Sequence, residues 1–289
     1  MNAAKIEKAR ALLDQHNISA TDPLPRELLI KKVQPLYTEK DIALLEKNHI
    51  RTVDYRNEVP VASGVTLEFY NAGHVPGSAL AFLRITTGKN ESYRILMSGD
   101  LGRVDGDFHP YGLPEIPLSE AIDTIVHETT YGGKVHIELS ESIHALGAAI
   151  RDAYISGKKA FIIPALSLER TPAILHHLLT LREQEYFHGK IKLDGPLAID
   201  YLSATLEAAT DEDFIAHLTN KKAVQHVRHT NPKTGKKLPA QSASEITANQ
   251  RGFEVIVAGS GMANGGYILD YLKKFAGSDE YVFAFTCYQ

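Results

Sequence analysis

A single cysteine, Cys287, is all the thiol chemistry this sequence holds. That excludes an internal disulfide and any thiolate-rich zinc finger, so a metal site would have to be built from histidine and carboxylates. Long apolar runs are also lacking. None approaches the roughly 20 residues that cross a bilayer, and the polar residues 1–10 contain no signal-peptide core, so no membrane partner is expected and the expected location is cytoplasmic. Neither sign of charge is in large excess. With 31 Lys and Arg against 35 Asp and Glu, the net charge of −4 gives no general attraction to nucleic acid, and a polyanion must be held by a local patch or a metal. What the chain does have is 13 histidines and enough length, 289 residues, to bury one large core or two ordinary ones.

The apolar pattern changes along the chain. The opening reads as helical to about Gln15, and a second helix is expected over 38–47, where Thr38 caps an acidic first turn containing Glu39 and Asp41. Short apolar strands divided by Gly, Asn and Asp follow at 65–70, 80–86, 93–97 and 124–126. From Ile137 the period lengthens, with Ile143, Leu146, Ile150 and Tyr154 at helical spacing. Strands at 160–163, 192–194, 254–258 and 281–285 then alternate with helices over 168–182, 198–209 and 262–275. Such alternation predicts an α/β unit with a mainly parallel sheet. The expected boundary is the Tyr-Gly-Gly turn within 131–134.

Three strands of the first half end alike. Phe69-Tyr70 leads to Asn71-Ala72-Gly73-His74, Leu96-Met97 to Ser98-Gly99-Asp100, and Ile125-Val126 to His127-Glu128. Neighbouring strands bury their bodies and present their tips, so His74, Asp100 and Glu128 are candidates for one cleft. Imidazole and carboxylate suit Zn²⁺ or Mn²⁺, and a carboxylate such as Asp100 can bridge two ions. A lone histidine after a strand is more often an ordinary turn or core residue, and spacing alone does not separate the two readings. Adjacent strand residues point to opposite faces, so Glu128 is taken to face the cleft and His127 to lie in or under the core. His176 and His177, neighbours on a helix, make a poor chelate and are read as structural.

Between 221 and 237 six basic residues, among them Lys236 and Lys237, occur with no acidic one. The patch could contact phosphates, or could simply be a solvated loop. The run Gly259-Ser260-Gly261-Met262 leads from a strand toward a helix, where backbone N–H groups can hold an anion.

Together these segments resemble the β-CASP branch of the metallo-β-lactamase hydrolases, the family of RNA 3′-end processing and ribonuclease J-like enzymes. Asn71-Ala72-Gly73-His74-Val75-Pro76-Gly77-Ser78 resembles the single-histidine metal motif and Ser98-Gly99-Asp100-Leu101-Gly102-Arg103 the bridging-aspartate motif. Glu128-Thr129-Thr130-Tyr131-Gly132 is similar to the element that opens the β-CASP insertion. Ile163-Pro164-Ala165 with Glu169-Arg170, Asp194-Gly195-Pro196-Leu197-Ala198 and Gly259-Ser260-Gly261-Met262 follow in the family's order. The resemblance implies a partial αββα metallo-β-lactamase domain over 1–130 and a β-CASP domain over 131–289. It implies His74 and Asp100 as metal ligands and Glu128 as a catalytic acidic group; Arg170, Ser260 and Gly261, within its matching segments, and Lys236 and Lys237, of the basic patch, are the expected substrate-binding residues.

The departures carry as much weight. The HxHxDH motif is absent, since no two histidines stand as His-x-His. The end of the chain resembles a strand after which the family continues. The expectation is therefore a middle section, inactive alone, of a two-zinc RNA hydrolase, with its half after Tyr131 the better ordered. A non-catalytic RNA- or partner-binding member and a DNA nuclease of the same fold are the alternatives, and a homo-oligomer is compatible with either.

Overall fold

The computed structural model describes residues 37–88, 91–103, 108–115, 121–168, 170–220, 222–227 and 252–286, apart from the side chains of 46–48. The helix expected to about Gln15, Glu169, Lys236, Lys237 and Cys287 lie outside the described residues. The chain divides after Thr52 into two compact units. In the first, helix α1 (Glu39–His49) begins where the sequence places it: the Thr38 N–H and hydroxyl both donate to the Asp41 carboxylate at 2.7 Å.

The second unit holds two five-stranded sheets. The first runs β1 (Val59–Ala62), β2 (Val65–Asn71), β3 (Ala79–Thr86), β4 (Ser92–Met97) and β5 (Thr124–Val126) in chain order. Its pairings are antiparallel except that β5 lies parallel to β4. Strand β1 was not expected, because Pro60 removes a ladder donor; it sits at the sheet edge, where proline is tolerated. The buried apolar cluster beneath this sheet is small: Ala72, Leu80, Phe82 and Leu96. Arg84 lies over the Phe82 ring and reaches Glu68 at 2.8 Å and Glu58 at 3.2 Å.

Helix α2 (Leu139–Ile155) leads to the second sheet, whose strands β6 (Ala160–Pro164), β7 (Lys190–Asp194), β8 (Gln225–His226), β9 (Glu254–Ala258) and β10 (Tyr281–Phe283) stand in the order β10-β6-β9-β7-β8. Every pairing in it is parallel, as the alternating pattern predicts. Apolar strands such as Ala160-Phe161-Ile162-Ile163 suit a sheet covered on both faces. Alternate residues do go to opposite cores. Phe161, Ile163, Val255 and Val257 pack under α2, α3 (Arg170–Glu183) and α6 (Glu212–Thr219), while Ile162, Ile256 and Ala258 pack under α7 (Ile268–Phe275). Each large side chain so buried contributes about 1.5–3 kcal/mol.

On the α7 side the sheet also encloses charge. The Lys192 ammonium meets the Glu254 carboxylate at 2.7 Å with both side chains buried, and the Tyr271 hydroxyl donates to Asp194 at 2.9 Å. The helix expected over 198–209 is two pieces, α4 (Pro196–Asp200) and α5 (Leu202–Ala208), and α7 starts later than Met262 because Gly266 adopts φ +70° just before it.

Candidate functional site

The turn after β2 is built by its own side chains. Asn71 Oδ1 accepts from the Gly73 N–H at 2.8 Å, and the Ser78 hydroxyl oxygen accepts from the N–H groups of His74 (3.0 Å) and Val75 (3.1 Å). These bonds curl the chain so that His74 is presented, half-buried, at the strand tip. The loop after β4 lies directly against this turn: the Gly102 N–H donates to the Ala72 carbonyl at 2.8 Å. A Cβ at Gly102 would fall 2.1 Å from the Gly73 oxygen and 3.0 Å from the His74 nitrogen, so only glycine permits the approach.

The loop after β5 closes the arrangement. The Glu128 N–H donates to Ser98 Oγ at 3.0 Å, and its carboxylate accepts from the Leu101 N–H (2.9 Å) and the Thr130 N–H (3.3 Å). The Thr130 hydroxyl first, then these backbone donors and nearby His74, hold the Glu128 carboxyl below the usual carboxylate range. Glu128 is therefore a fixed anion whose oxygen is bonded to the peptide following Asp100. His74, Asp100 and Glu128 thus come from three strand tips into one neighbourhood.

His127 is a correction. It is exposed, with Nδ1 2.7 Å from the Glu128 oxygen, where a core position was expected. Strand β5 is short and poorly covered, with Ile125 57% and Val126 52% exposed, so a residue at its end has no core to enter.

The metal reading meets a shortage of donors. Among the described residues no three His, Cys, Asp or Glu side chains are grouped to hold an ion. Zinc takes three or four protein ligands, and the Glu128 carboxylate is already engaged by N–H groups. The described donor set does not fit a resident pair of zinc ions.

The remaining candidates gather at the carboxyl ends of the second sheet. The Ala165 N–H donates to the Ala258 carbonyl at 3.0 Å and the Gly259 N–H contacts the Asp194 carbonyl at 3.4 Å, so the loops after β6, β9 and β7 are neighbours. Arg170 starts α3 from one of them. Ser260, its hydroxyl 3.1 Å from Asn264 Oδ1, and buried Gly261 belong to another. In parallel sheets this edge is where ligands are commonly held.

One connection was not legible beforehand. The segment 108–115 ties the His74 turn to the helical layer: Asn71 Nδ2 donates to the Tyr111 carbonyl at 2.8 Å, the Glu115 N–H to the Asn71 carbonyl at 2.8 Å, and the Tyr111 and Phe108 rings both pack on Phe214 of α6. Only the aromatics Phe108 and Tyr111 hinted at it.

Residues 171–289 match the Beta-Casp domain. The chain is 29% identical over 249 residues to ribonuclease TTHA0252 of Thermus thermophilus, covering 83% of this chain and 52% of that protein. It is 27% identical over 264 residues to the transcription termination factor FttA of Thermococcus kodakarensis, covering 89% of this chain and 38% of the relative. An RNase J-like protein of Methanocaldococcus jannaschii is 28% identical over 240 residues, covering 82% of this chain and 52% of its own length. The chain thus spans about half or less of each of these relatives.

Proposed function

We propose that this chain, whose residues 171–289 match the Beta-Casp domain, is a member of the β-CASP family, that its function is phosphodiester cleavage in RNA, and that these 289 residues by themselves do not turn over. The observation that carries the reading is the meeting of the His74, Asp100 and Glu128 loops with no third metal donor beside them among the described residues. In this proposal His74 and Asp100 contribute two donors to a zinc or manganese site, and Glu128 is the fixed acid that holds the Asp100 loop in place. RNA is preferred as substrate because relatives over most of the chain are named ribonucleases. Arg170 and the Gly259-Ser260-Gly261 loop would hold the strand at the edge of the parallel sheet, with Lys236 and Lys237 as further phosphate contacts.

The same shortage of donors favours a second reading, in which the chain binds RNA without cutting it. Elemental analysis of protein purified without chelator, together with an RNA cleavage assay, tests both. Near-zero metal and no cleavage are expected. Chelator-sensitive cleavage lost in both His74→Ala and Asp100→Ala would overturn the claim of inactivity. Salt-dependent RNA binding weakened by Lys236→Ala and Lys237→Ala, without cleavage, would favour the second reading.

A further inference from the structure

On the helical side of the second sheet, between the start of α2 and the length of α3, lies a cavity of about 670 Å³. That is within the roughly 300–1,000 Å³ usual for small-molecule sites. Phe108, Ile143 and Leu181 make its apolar wall. Among the described residues no lysine or arginine lines it, and the one carboxylate among them, Glu138, is on the exposed rim.

Most polar groups near the cavity are already engaged. His176 Nδ1 lies 3.1 Å from His217 Nδ1, whose Nε2 is 3.3 Å from Glu183, and the Tyr186 hydroxyl is 3.0 Å from His144 Nδ1. The Thr180 hydroxyl donates to the His176 carbonyl at 3.2 Å, which leaves its oxygen able to accept. His177 differs. Its ring packs against Phe108 (4.8 Å) and His176 (5.1 Å), yet among the described residues no group is hydrogen-bonded to either ring nitrogen. Burial first, then His176 and Arg170, push it down to about 4. At neutral pH it is an uncharged imidazole offering one donor and one acceptor toward the cavity.

We propose that this cavity binds an uncharged nucleobase, either as a free nucleoside or as a base turned out of an RNA strand, with His177 pairing to the base edge and Gln184 closing over it. One ring nitrogen of His177 makes a single hydrogen bond to the edge of a planar heterocycle, the apolar wall takes its faces, and any sugar-phosphate stays in solvent. This site is separate from the strand-tip cleft and does not depend on the chain's cleaving RNA.

The test is titration of the full chain with adenosine, uridine and adenosine 5′-monophosphate, following the histidine ring ¹H–¹⁵N resonances. Adenosine is expected to move His177 and leave His74 unmoved, with the monophosphate binding no tighter than adenosine. His177→Phe keeps a ring but removes both polar atoms, and should weaken binding about tenfold, the loss of about one buried hydrogen bond. Gln184→Leu, at an exposed position, should weaken it severalfold while circular dichroism stays unchanged. A short unstructured RNA that displaces adenosine identifies a strand base as the occupant; failure to displace it identifies the free nucleoside. The proposal is overturned if His177 does not move at about 10 mM of either nucleoside, if the monophosphate binds tenfold tighter, if neither variant weakens binding, or if N-acetyl-tyrosinamide moves His177 and adenosine does not.

Discussion

In the second sheet every residue of β6 and β9 is buried; in the first no strand is buried along its length, and its described core is four side chains. The first sheet nevertheless carries the more elaborate constellation, His74, Asp100 and Glu128. Those loops are held by short-range hydrogen bonds from Asn71, Ser78, Ser98 and Glu128 and by a glycine contact, more than by apolar packing. A sheet covered on both faces can offer chemistry only at its strand ends, so Arg170, Ser260 and Gly261 stand there. Stability and candidate chemistry are thus concentrated in different places.

The contrast can be broken by charge removal. Lys192→Met leaves Glu254 buried without its partner and should cost about 3–5 kcal/mol in denaturant unfolding. Arg84→Met, in the first sheet, should cost less, about 1–2 kcal/mol, because Glu58 is half exposed and Glu68, though largely covered, keeps some access to water. Equal losses would show the two sheets to be equally secured.

A pH series sharpens it. Below 6.5 the unfolded chain protonates His177, whereas the folded chain resists until about 4, so the unfolded state holds the extra proton and stability falls as pH drops through that window. The loss should reach about 3 kcal/mol. His177→Phe should flatten the profile between pH 6.5 and 4, and an unchanged slope would remove His177 as its source.

Amide exchange gives the third comparison. Protection in β6 and β9 should exceed that in β2 and β5 by about a hundredfold, reflecting burial on two faces against partial cover. Uniform protection would mean that both sheets open together.

Much of this was legible because the strands are short and punctuated. The four strands expected in the first half end within a residue of the observed ones, since Gly, Asn and Asp mark their limits. The strand-tip rule also brought out His74, Asp100 and Glu128. Helix α6 was overlooked although its start is signalled by Asp211, whose carboxylate accepts from the Phe214 N–H at 2.7 Å. The cavity was missed for another reason. His176 and His177 were weighed only as a chelate along one helix, while the partner that makes them interesting, Phe108, arrives from a distant segment and leaves no periodic signal.

The strand order has a bearing on synthesis. Strands β6 and β7 are made early and stand on either side of β9, which is translated only after a further 60 or so residues beyond Asp194. Until Ala258 leaves the ribosome, the backbone N–H and C=O groups on the inner edges of both have no native partner. The central strand is thus a keystone set late, and a nascent chain paused before it exposes both edges of β6 and the inner edge of β7, with which other chains can pair.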